Sequence, residues 1–361
     1  MRAIELSPTV VIGAGLVGAS VGCALTEAGI DVHLSDAVAS HAVVAASLGA
    51  GTTEPVAASD VRLVVVAVPP AHLADEVASA LKTYPHATVT DVGSVKGTII
   101  NALRARKASG LKRYCGGHPM AGSHHTGPMT ARADLFVDRT WVVAPHDTAS
   151  AATVLDVQEL ARLCGARVVT LGPAHHDEAV AQVSHLPHLM SVLTGGVLND
   201  VPSSHLKLAG QGLRDVTRIS GSDPVLWQQI IAANADAVRE QLVEVQGALE
   251  RLLGILDSPE RISSGELEEF LAWGRQGTRL IPGKHGTPAR EFAQVTIEIP
   301  DAPGALARLF AQIGEAGFNV EDVSIEHDDE REVGWLAVQV AEEKASDLEA
   351  AMEAAGWTVR H

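Results

Sequence analysis

Residues 9–19 read TVVIGAGLVGA: an apolar strand-like run, three glycines spaced GxGxxG, then a helical stretch. Few local folds satisfy that order. Gly13 permits a tight turn out of the strand, Gly15 lets a pyrophosphate approach the backbone, and Gly18 lets the helix pack on the strand. Leu16 and Val17 form the first turn of that helix, whose N-terminus faces the phosphates. A second strand candidate ends in Asp36, eighteen residues past Gly18. A carboxylate there accepts hydrogen bonds from ribose hydroxyls and repels a 2′-phosphate. No Arg or Lys follows in AVASHAVV. The expectation is a Rossmann unit that binds NAD in preference to NADP, with capping of the next turn as the alternative role for Asp36.

The same texture continues to about residue 172. Strand candidates cover 9–12, 31–35, 63–68, 88–91, 112–116, 141–144 and 167–171, with helices such as 16–28, 71–81 and 149–164 between them. Several strands are continuous Val-rich runs, as in a parallel sheet covered on both faces. The fold class read from 1–172 is therefore α/β and doubly wound. Val68 and Pro69, closing the third strand, and Asp91, closing the fourth, are expected beside the cofactor. From 173 to 281 the β signal vanishes and helical periodicity covers 177–198, 224–256 and 265–276. Asp223 is a natural N-cap before Pro224, and Pro187 should kink its helix. This all-helical part is expected to bind substrate and to form a homodimer. Residues 282–291 are rich in Gly, Pro and charge and read as a linker. Beyond it, 292–361 fit a ferredoxin-like βαββαβ order: strands 293–299, 318–326, 333–340 and 357–360, helices 303–316 and 342–355. The acidic HDDERE, 327–332, reads as a solvated turn.

Length and charge narrow the function. At 361 residues the chain needs two or three domains. A net charge of −17 argues against nucleic acid or an anionic membrane as partner. It also requires that any anionic substrate be held by local cations. No long apolar run suggests a membrane span, and the N-terminus lacks a signal peptide's apolar region, so a cytoplasmic location is expected. Cys23, Cys115 and Cys164 have unrelated spacings and read as buried reduced thiols.

Chemistry concentrates at a few positions. GGHPMAGS, 116–123, reads as a tight loop carrying one imidazole. Hydride abstraction from a carbinol needs a nearby proton acceptor, and neutral His118 suits that near pH 7; a loop His bonded to backbone is the plainer reading. In DVGSVKG, Ser94 is placed to N-cap the following helix, to face cofactor and substrate, or both. His185 and His188 share a helix face, with His175, His176 and Asp177 nearby, but the spacing matches no known metal set, so no metal is expected. Arg214 and Arg218 lie one helical turn apart with Asp215 between. They either bind substrate carboxylates or form surface ion pairs with Asp215 or Glu240.

The order GAGLVGAS, VPP, DVGSVK, GGHPMAGS, SHLPH and LRDVTRIS-SDPxxW resembles the prephenate and arogenate dehydrogenases of tyrosine biosynthesis, over about residues 8–280. The tail, with Asp301-Ala-Pro303-Gly304-Ala305-Leu306 and then Asn319-Val320, resembles an ACT domain, a small amino-acid-sensing module. The resemblance implies NAD-dependent oxidative decarboxylation of prephenate to 4-hydroxyphenylpyruvate, with arogenate as the close variant. His118 would accept the substrate hydroxyl proton, Ser94 would bridge cofactor and substrate, and His185 and Arg218 would hold carboxylates. Tyrosine would act as effector near Asp301, Gly304, Ala305, Asn319 and Val320. Many relatives carry an acidic residue, joined in an ionic network with the counterparts of Asp215 and Arg218, where this chain has His124; Arg214 and Asp215 are further substrate-site candidates, and the departure makes His124 a candidate substrate contact. Two other classes stay open: a β-hydroxyacid or imine reductase, disfavoured by HPMAG and RDVTR, and a sensor of NAD and amino acids without turnover.

Overall fold

Strands β1 (Thr9–Ile12), β2 (Val32–Ser35), β3 (Leu63–Val66) and β4 (Thr88–Asp91) form a parallel sheet in the order β2-β1-β3-β4. The computed structural model describes residues 3–121, 127–281, 292–328 and 333–360. Ile12, Val66 and Asp91 are in register, so the loops after β1, β3 and β4 leave from one edge of the sheet. Helices α1 (Leu16–Glu27), α2 (Ala39–Ser47), α3 (Pro70–Thr83) and α4 (Gly97–Ala105) carry the crossovers. One apolar cluster, around Leu25, Val65, Phe136 and Trp141, covers one face; a second, around Val64, Val77, Leu103 and Tyr114, covers the other. Each such fully buried side chain contributes about 1.5–3 kcal/mol relative to exposure.

The sheet departs from the expected parallel pattern after β4. Strands β5 (Gly116–Pro119), β6 (Thr140–Ala144) and β7 (Arg167–Thr170) form a three-stranded group, with β5 antiparallel to β6 and β6 parallel to β7. A parallel bridge between Val89 and Tyr114 sets β5 beside β4. The strand expected over 112–116 is therefore displaced, and GGHP is a buried strand instead of a loop. Arg113 explains the shift. Its guanidinium donates to the carbonyls of Leu81, Tyr84 and Ala87 at 2.7–2.8 Å, which holds residues 111–113 in a 3-10 turn. Gly116 and Gly117 serve close packing: a Cβ would lie 2.9 Å from Lys96 Cδ at the first and 2.8 Å from the Asp91 carbonyl oxygen at the second. Helix α5 (Ala151–Leu163) starts from Ser150, whose Oγ accepts from the Thr153 amide. All three cysteines are buried, and burial pushes the Cys115 and Cys164 thiols up to about 12.

The helix expected over 177–198 is three segments: α6 (Pro173–Val180), a π turn over Ala181–His185, and α7 (Leu186–Val197). Pro187 has no amide hydrogen for the carbonyl four residues back and crowds it. The backbone answers with the wide turn upstream. Short helices α8 (Ser203–Leu206) and α9 (Gln211–Thr217) precede a 3-10 turn over Arg218–Gly221. The helix expected over 224–256 is also divided, into α10 (Pro224–Ala233) and α11 (Ala235–Leu256), by Asn234 at φ −124° and ψ 28°. Asp223 caps α10 as expected, accepting from the Val225 amide at 2.9 Å. Helices α12 (Pro259–Ser263) and α13 (Glu266–Thr278) follow.

The chain divides into two compact units, 1–246 and 247–361, so that the expected α/β part and most of the helical part share one unit. Hydrogen bonds tie these parts of the first unit together. Thr98 Oγ1 donates to the Ala233 carbonyl at 2.5 Å, and Gln229 Oε1 accepts from the Ala71 amide at 3.3 Å. In the second unit, β8 (Phe292–Pro300), α14 (Ala305–Glu315), β9 (Asp322–Asp328), β10 (Val333–Ala341), α15 (Ala345–Ala354) and β11 (Val359–Arg360) build an antiparallel sheet ordered β11-β8-β10-β9. β10 alternates strictly between buried and half-buried positions, with Leu336 and Val338 facing Leu309, Ile313 and Leu348 in the core. The strand expected from 318 starts at Asp322, because Phe318 and Val320 pack into that core. The linker 282–291 lies outside the described residues.

Candidate active site

The three glycines divide their work as their spacing implies. Gly13 has φ +99°, and a Cβ on it would sit 2.4 Å from the Ala67 carbonyl oxygen. A Cβ on Gly18 would sit 1.9 Å from the Gly13 carbonyl oxygen, whereas at Gly15 it would meet nothing within 4 Å. Helix α1 begins at that open glycine without a side-chain cap, which leaves its amides to an anion. Asp36 performs the capping role and another. Its Oδ1 accepts from the Val38 amide at 2.8 Å, and its Oδ2 accepts from the Ala14 amide at 2.7 Å, so it orders the glycine loop. Leu16 is buried and Val17 half-buried in the first turn; Val68, half-buried, and Pro69, exposed, follow β3. An open glycine, an uncapped helix start and a carboxylate suit a dinucleotide's pyrophosphate and ribose.

Asp91 does not belong to that surface. It is fully buried; Oδ1 accepts from the Gly93 amide and from Lys96 Nζ, and Oδ2 accepts from the Tyr114 hydroxyl at 2.7 Å. Lys96, 1% exposed, also donates to the Gly117 carbonyl at 2.7 Å. The pair thus fastens the β4 loop to strand β5, and the expected cofactor contact becomes an internal brace. Burial, and then the Asp91 charge, hold the Tyr114 hydroxyl well above its ordinary range. Nothing in the spacing singled out Lys96.

His118 lies on β5, 9% exposed, with Nδ1 2.8 Å from Nε2 of His176. Nδ1 of His176 lies 2.7 Å from Asp177 Oδ1. The Asp177 carboxylate also accepts the Lys96 and Gly97 amides, at 2.8 Å and 2.7 Å. Ser94 therefore does not cap α4: Lys96 occupies the N-cap without a side-chain bond, and a carboxylate from α6 supplies the cap. Ser94 is half-buried in the loop between β4 and that cap. Burial, and then the charges of His176, Lys96 and His185, hold the His118 imidazole well below its ordinary pKa. The imidazole is therefore neutral at pH 7.

A second histidine pair lies along the π turn and α7. His185 is 1% exposed, and its Nδ1 faces Asn234 Nδ2 at 3.2 Å. The same amide donates to the Asp177 carbonyl at 2.7 Å, which identifies that atom as nitrogen. It follows that His185 Nδ1 accepts and its Nε2 carries the hydrogen. Burial lowers its pKa to about 4 against the opposing pull of Asp177, so His185 is a neutral donor and not a cation. His188 stacks flat on Trp227 at 3.5 Å, and its Nδ1 has no partner among the described residues. Arg214, Asp215 and Arg218 are exposed. Asp215 accepts from Gln211 at 2.8 Å, and among the described residues neither arginine forms an ion pair. The segment 211–221 packs on α7, the Ser220 amide donating to Ser191 Oγ at 3.1 Å. His124 lies outside the described residues. His176 and Asp177, flagged in the sequence only as metal candidates, spend their polar atoms on His118 and α4. Trp227 carried no signal beyond its place in SDPxxW, and Asn234 carried none.

In the second unit a cavity of about 120 Å³ is lined by Asp301, Gly304, Ala305, Leu306, Ile325 and Gly334, among others. Of the expected effector residues, Asn319 and Val320 do not line it. Asn319 donates to Glu321 at 2.7 Å, and Val320 packs into the core.

Family models described as the prephenate dehydrogenase nucleotide-binding domain, the prephenate dehydrogenase dimerization domain and the ACT domain match residues 21–170, 172–273 and 293–355. The Streptomyces niveus protein named "Probable prephenate dehydrogenase NovF" is 33% identical over 347 residues, covering 94% of this chain and 95% of its own. Prephenate dehydrogenase of Lactococcus lactis is 28% identical over 270 residues, covering 73% and 72%. The crystal structure of A. aeolicus prephenate dehydrogenase in complex with hydroxyphenyl propionate and NAD+ matches with a TM-score of 0.66 at 26% identity, over 75% of this chain and 96% of that one. Synechocystis arogenate dehydrogenase matches with a TM-score of 0.63 at 25% identity, over 75% and 97%. No helix among the described residues is long and apolar enough to cross a membrane. This chain belongs to the prephenate dehydrogenase family and carries an ACT domain.

Proposed function

We propose that the protein is an NAD-dependent dehydrogenase that converts prephenate to 4-hydroxyphenylpyruvate and CO₂. The observation that carries this reading is a buried, neutral His118 on β5, a strand that the Val89–Tyr114 bridge sets beside the sheet that bears the glycine loop. Gly13, Gly15, Leu16, Val17, Gly18 and Asp36 hold the dinucleotide, with Val68 and Pro69 at its flank. NAD+ supplies the hydride acceptor when bound. His118 takes the proton of the ring hydroxyl as the carbinol carbon loses hydride, and Ser94 donates to or accepts from the same hydroxyl. The resulting dienone loses its ring carboxylate as CO₂, and His118 returns the proton to the phenolate oxygen. His185 donates from Nε2 to a substrate carboxylate, while Arg218, with Arg214 nearby in sequence, supplies the local positive charge that an anionic substrate needs on a chain of net charge −17. Parallel assays of NADH formation with prephenate, arogenate and simple hydroxyacids test the reading; turnover of hydroxyacids alone would overturn it. Arogenate is the second reading, favoured by the likeness to the Synechocystis enzyme.

Two further parts of the proposal concern assembly and control. Val183, Leu193, Val197, Leu208, Val216 and Val225 are all more than half exposed, an apolar load typical of an interface, and we assign them to a homodimer. Tyrosine is the proposed effector, bound at the cavity of Asp301, Gly304 and Ala305. Ala302→Phe, which fills that cavity, should abolish inhibition by tyrosine while sparing basal turnover. Unchanged inhibition would move the effect to the active site.

A further inference from the structure

We infer that His176 and Asp177 are positioning residues that hold His118 in one tautomer, Nδ1 protonated and Nε2 bare, so that Nε2 is the atom that takes the substrate's proton. The inference rests on the reading of His118 as general base.

The argument starts at the carboxylate, which can only accept hydrogen bonds. Asp177 receives three: two backbone amides at the start of α4 and Nδ1 of His176. The hydrogen between Asp177 and His176 therefore belongs to His176 Nδ1. With that ring neutral, its Nε2 must accept, and the hydrogen between the rings belongs to His118 Nδ1. His176 is completely buried, so no water competes for either nitrogen. The rings meet edge to face, at 72° and 5.1 Å between centroids. What remains on His118 is the Nε2 lone pair.

The chemistry follows from that atom. As hydride leaves the carbinol carbon, the O–H bond breaks, its electron pair becomes the new C=O π bond, and an N–H bond forms at His118 Nε2. The imidazolium keeps its Nδ1–H···Nε2 bond to His176, and Asp177 is the negative charge at the end of the chain. Lys96 and the imidazoles of His176 and His185 face His118 with positive or potentially positive charge. Asp177 is the counterweight, and Asp91 is already engaged by Lys96. Asp177 has a second duty: by capping α4 it also fixes the loop that carries Ser94. One carboxylate thus sets both the base and the hydroxyl expected beside the substrate.

Histidine tautomers are read directly from long-range ¹H–¹⁵N spectra of full-length protein labelled with ¹⁵N-histidine, with His118→Asn and His176→Gln identifying the signals. Both rings should show hydrogen on Nδ1. In Asp177→Asn the amide can donate to His176 Nδ1, which reverses the chain and leaves hydrogen on His118 Nε2. Its kcat should fall by about 10³–10⁴-fold, as when a catalytic His is held in the wrong tautomer, with KM for substrate and NAD+ changed less than about threefold. The acid limb of its pH profile should move to lower pH, because the imidazolium has lost its counter-charge. His176→Gln keeps an acceptor oxygen near the former Nε2 and should retain roughly a tenth of kcat or more, whereas His176→Leu should fall with Asp177→Asn. Hydrogen on His118 Nε2 in the wild type, or near-normal kcat in His176→Leu, overturns the inference. If the wild type turns over neither prephenate nor arogenate, the functional reading fails instead; the wild-type tautomers need no turnover and no folded variant of Asp177.

Discussion

Nδ1 of His118, on strand β5, lies 2.8 Å from Nε2 of His176, on helix α6. That buried bond joins the α/β part of the site to the helical part. The candidate base therefore sits on a braced strand, not in a free loop.

His118→Asn should lower kcat for NADH formation by about 10²–10⁴-fold, the usual worth of a general base. NAD+ affinity, measured by fluorescence titration, should stay within about twofold, because the glycine loop is untouched. Retention of near-normal turnover would remove His118 from the chemistry.

Stability should fall on acidification. Burial lowers the pKa of His118, and of His185 to about 4, while unfolded histidines titrate near 6.5. The unfolded chain thus binds protons first, so stability is full above about pH 6.5 and is lost as pH falls toward 4. Urea midpoints at pH 7.5, 5.5 and 4.5 should show the decline, and His185→Gln should flatten it.

Lys96→Met should destabilise the protein by about 3–5 kcal/mol, because it strands the fully buried Asp91 without its counter-charge. Adding Asp91→Asn should recover part of the loss. Equal stability of the single and double variants by urea denaturation would show that the charge is not the cause.

Asp36→Ser should relax discrimination against NADP+ and weaken NAD+, since the carboxylate both repels a 2′-phosphate and holds the Ala14 amide. Steady-state KM values for the two cofactors check this. Preference for NAD+ unchanged in the variant would assign Asp36 to capping alone.

Arg218→Ala should raise KM for prephenate by about 10–150-fold, the worth of a hydrogen bond to a charged group, with NAD+ KM little changed. Arg214→Ala serves as the comparison one helical turn away. A smaller effect at Arg218 than at Arg214 would exchange their roles.

The sequence alone determined the modules and pointed to the candidate base. GxGxxG after an apolar strand leaves few local folds, since Gly13 and Gly18 tolerate no Cβ. The βαββαβ order followed from the succession of strand and helix segments beyond residue 291, and the candidacy of His118 followed from its motif. Contacts between residues far apart in the chain were decided only by tertiary structure. Arg113 reached three distant carbonyls and displaced a strand. Asp177 took the capping role that local spacing offered to Ser94, across 81 residues. Lys96 turned Asp91 from a surface ligand into a buried brace. Asn234 broke a helix to hold His185. Local patterns encode backbone shape through short-range sterics, whereas the partner of a buried polar group is chosen by whichever donor or acceptor the packed core brings within 3 Å or so.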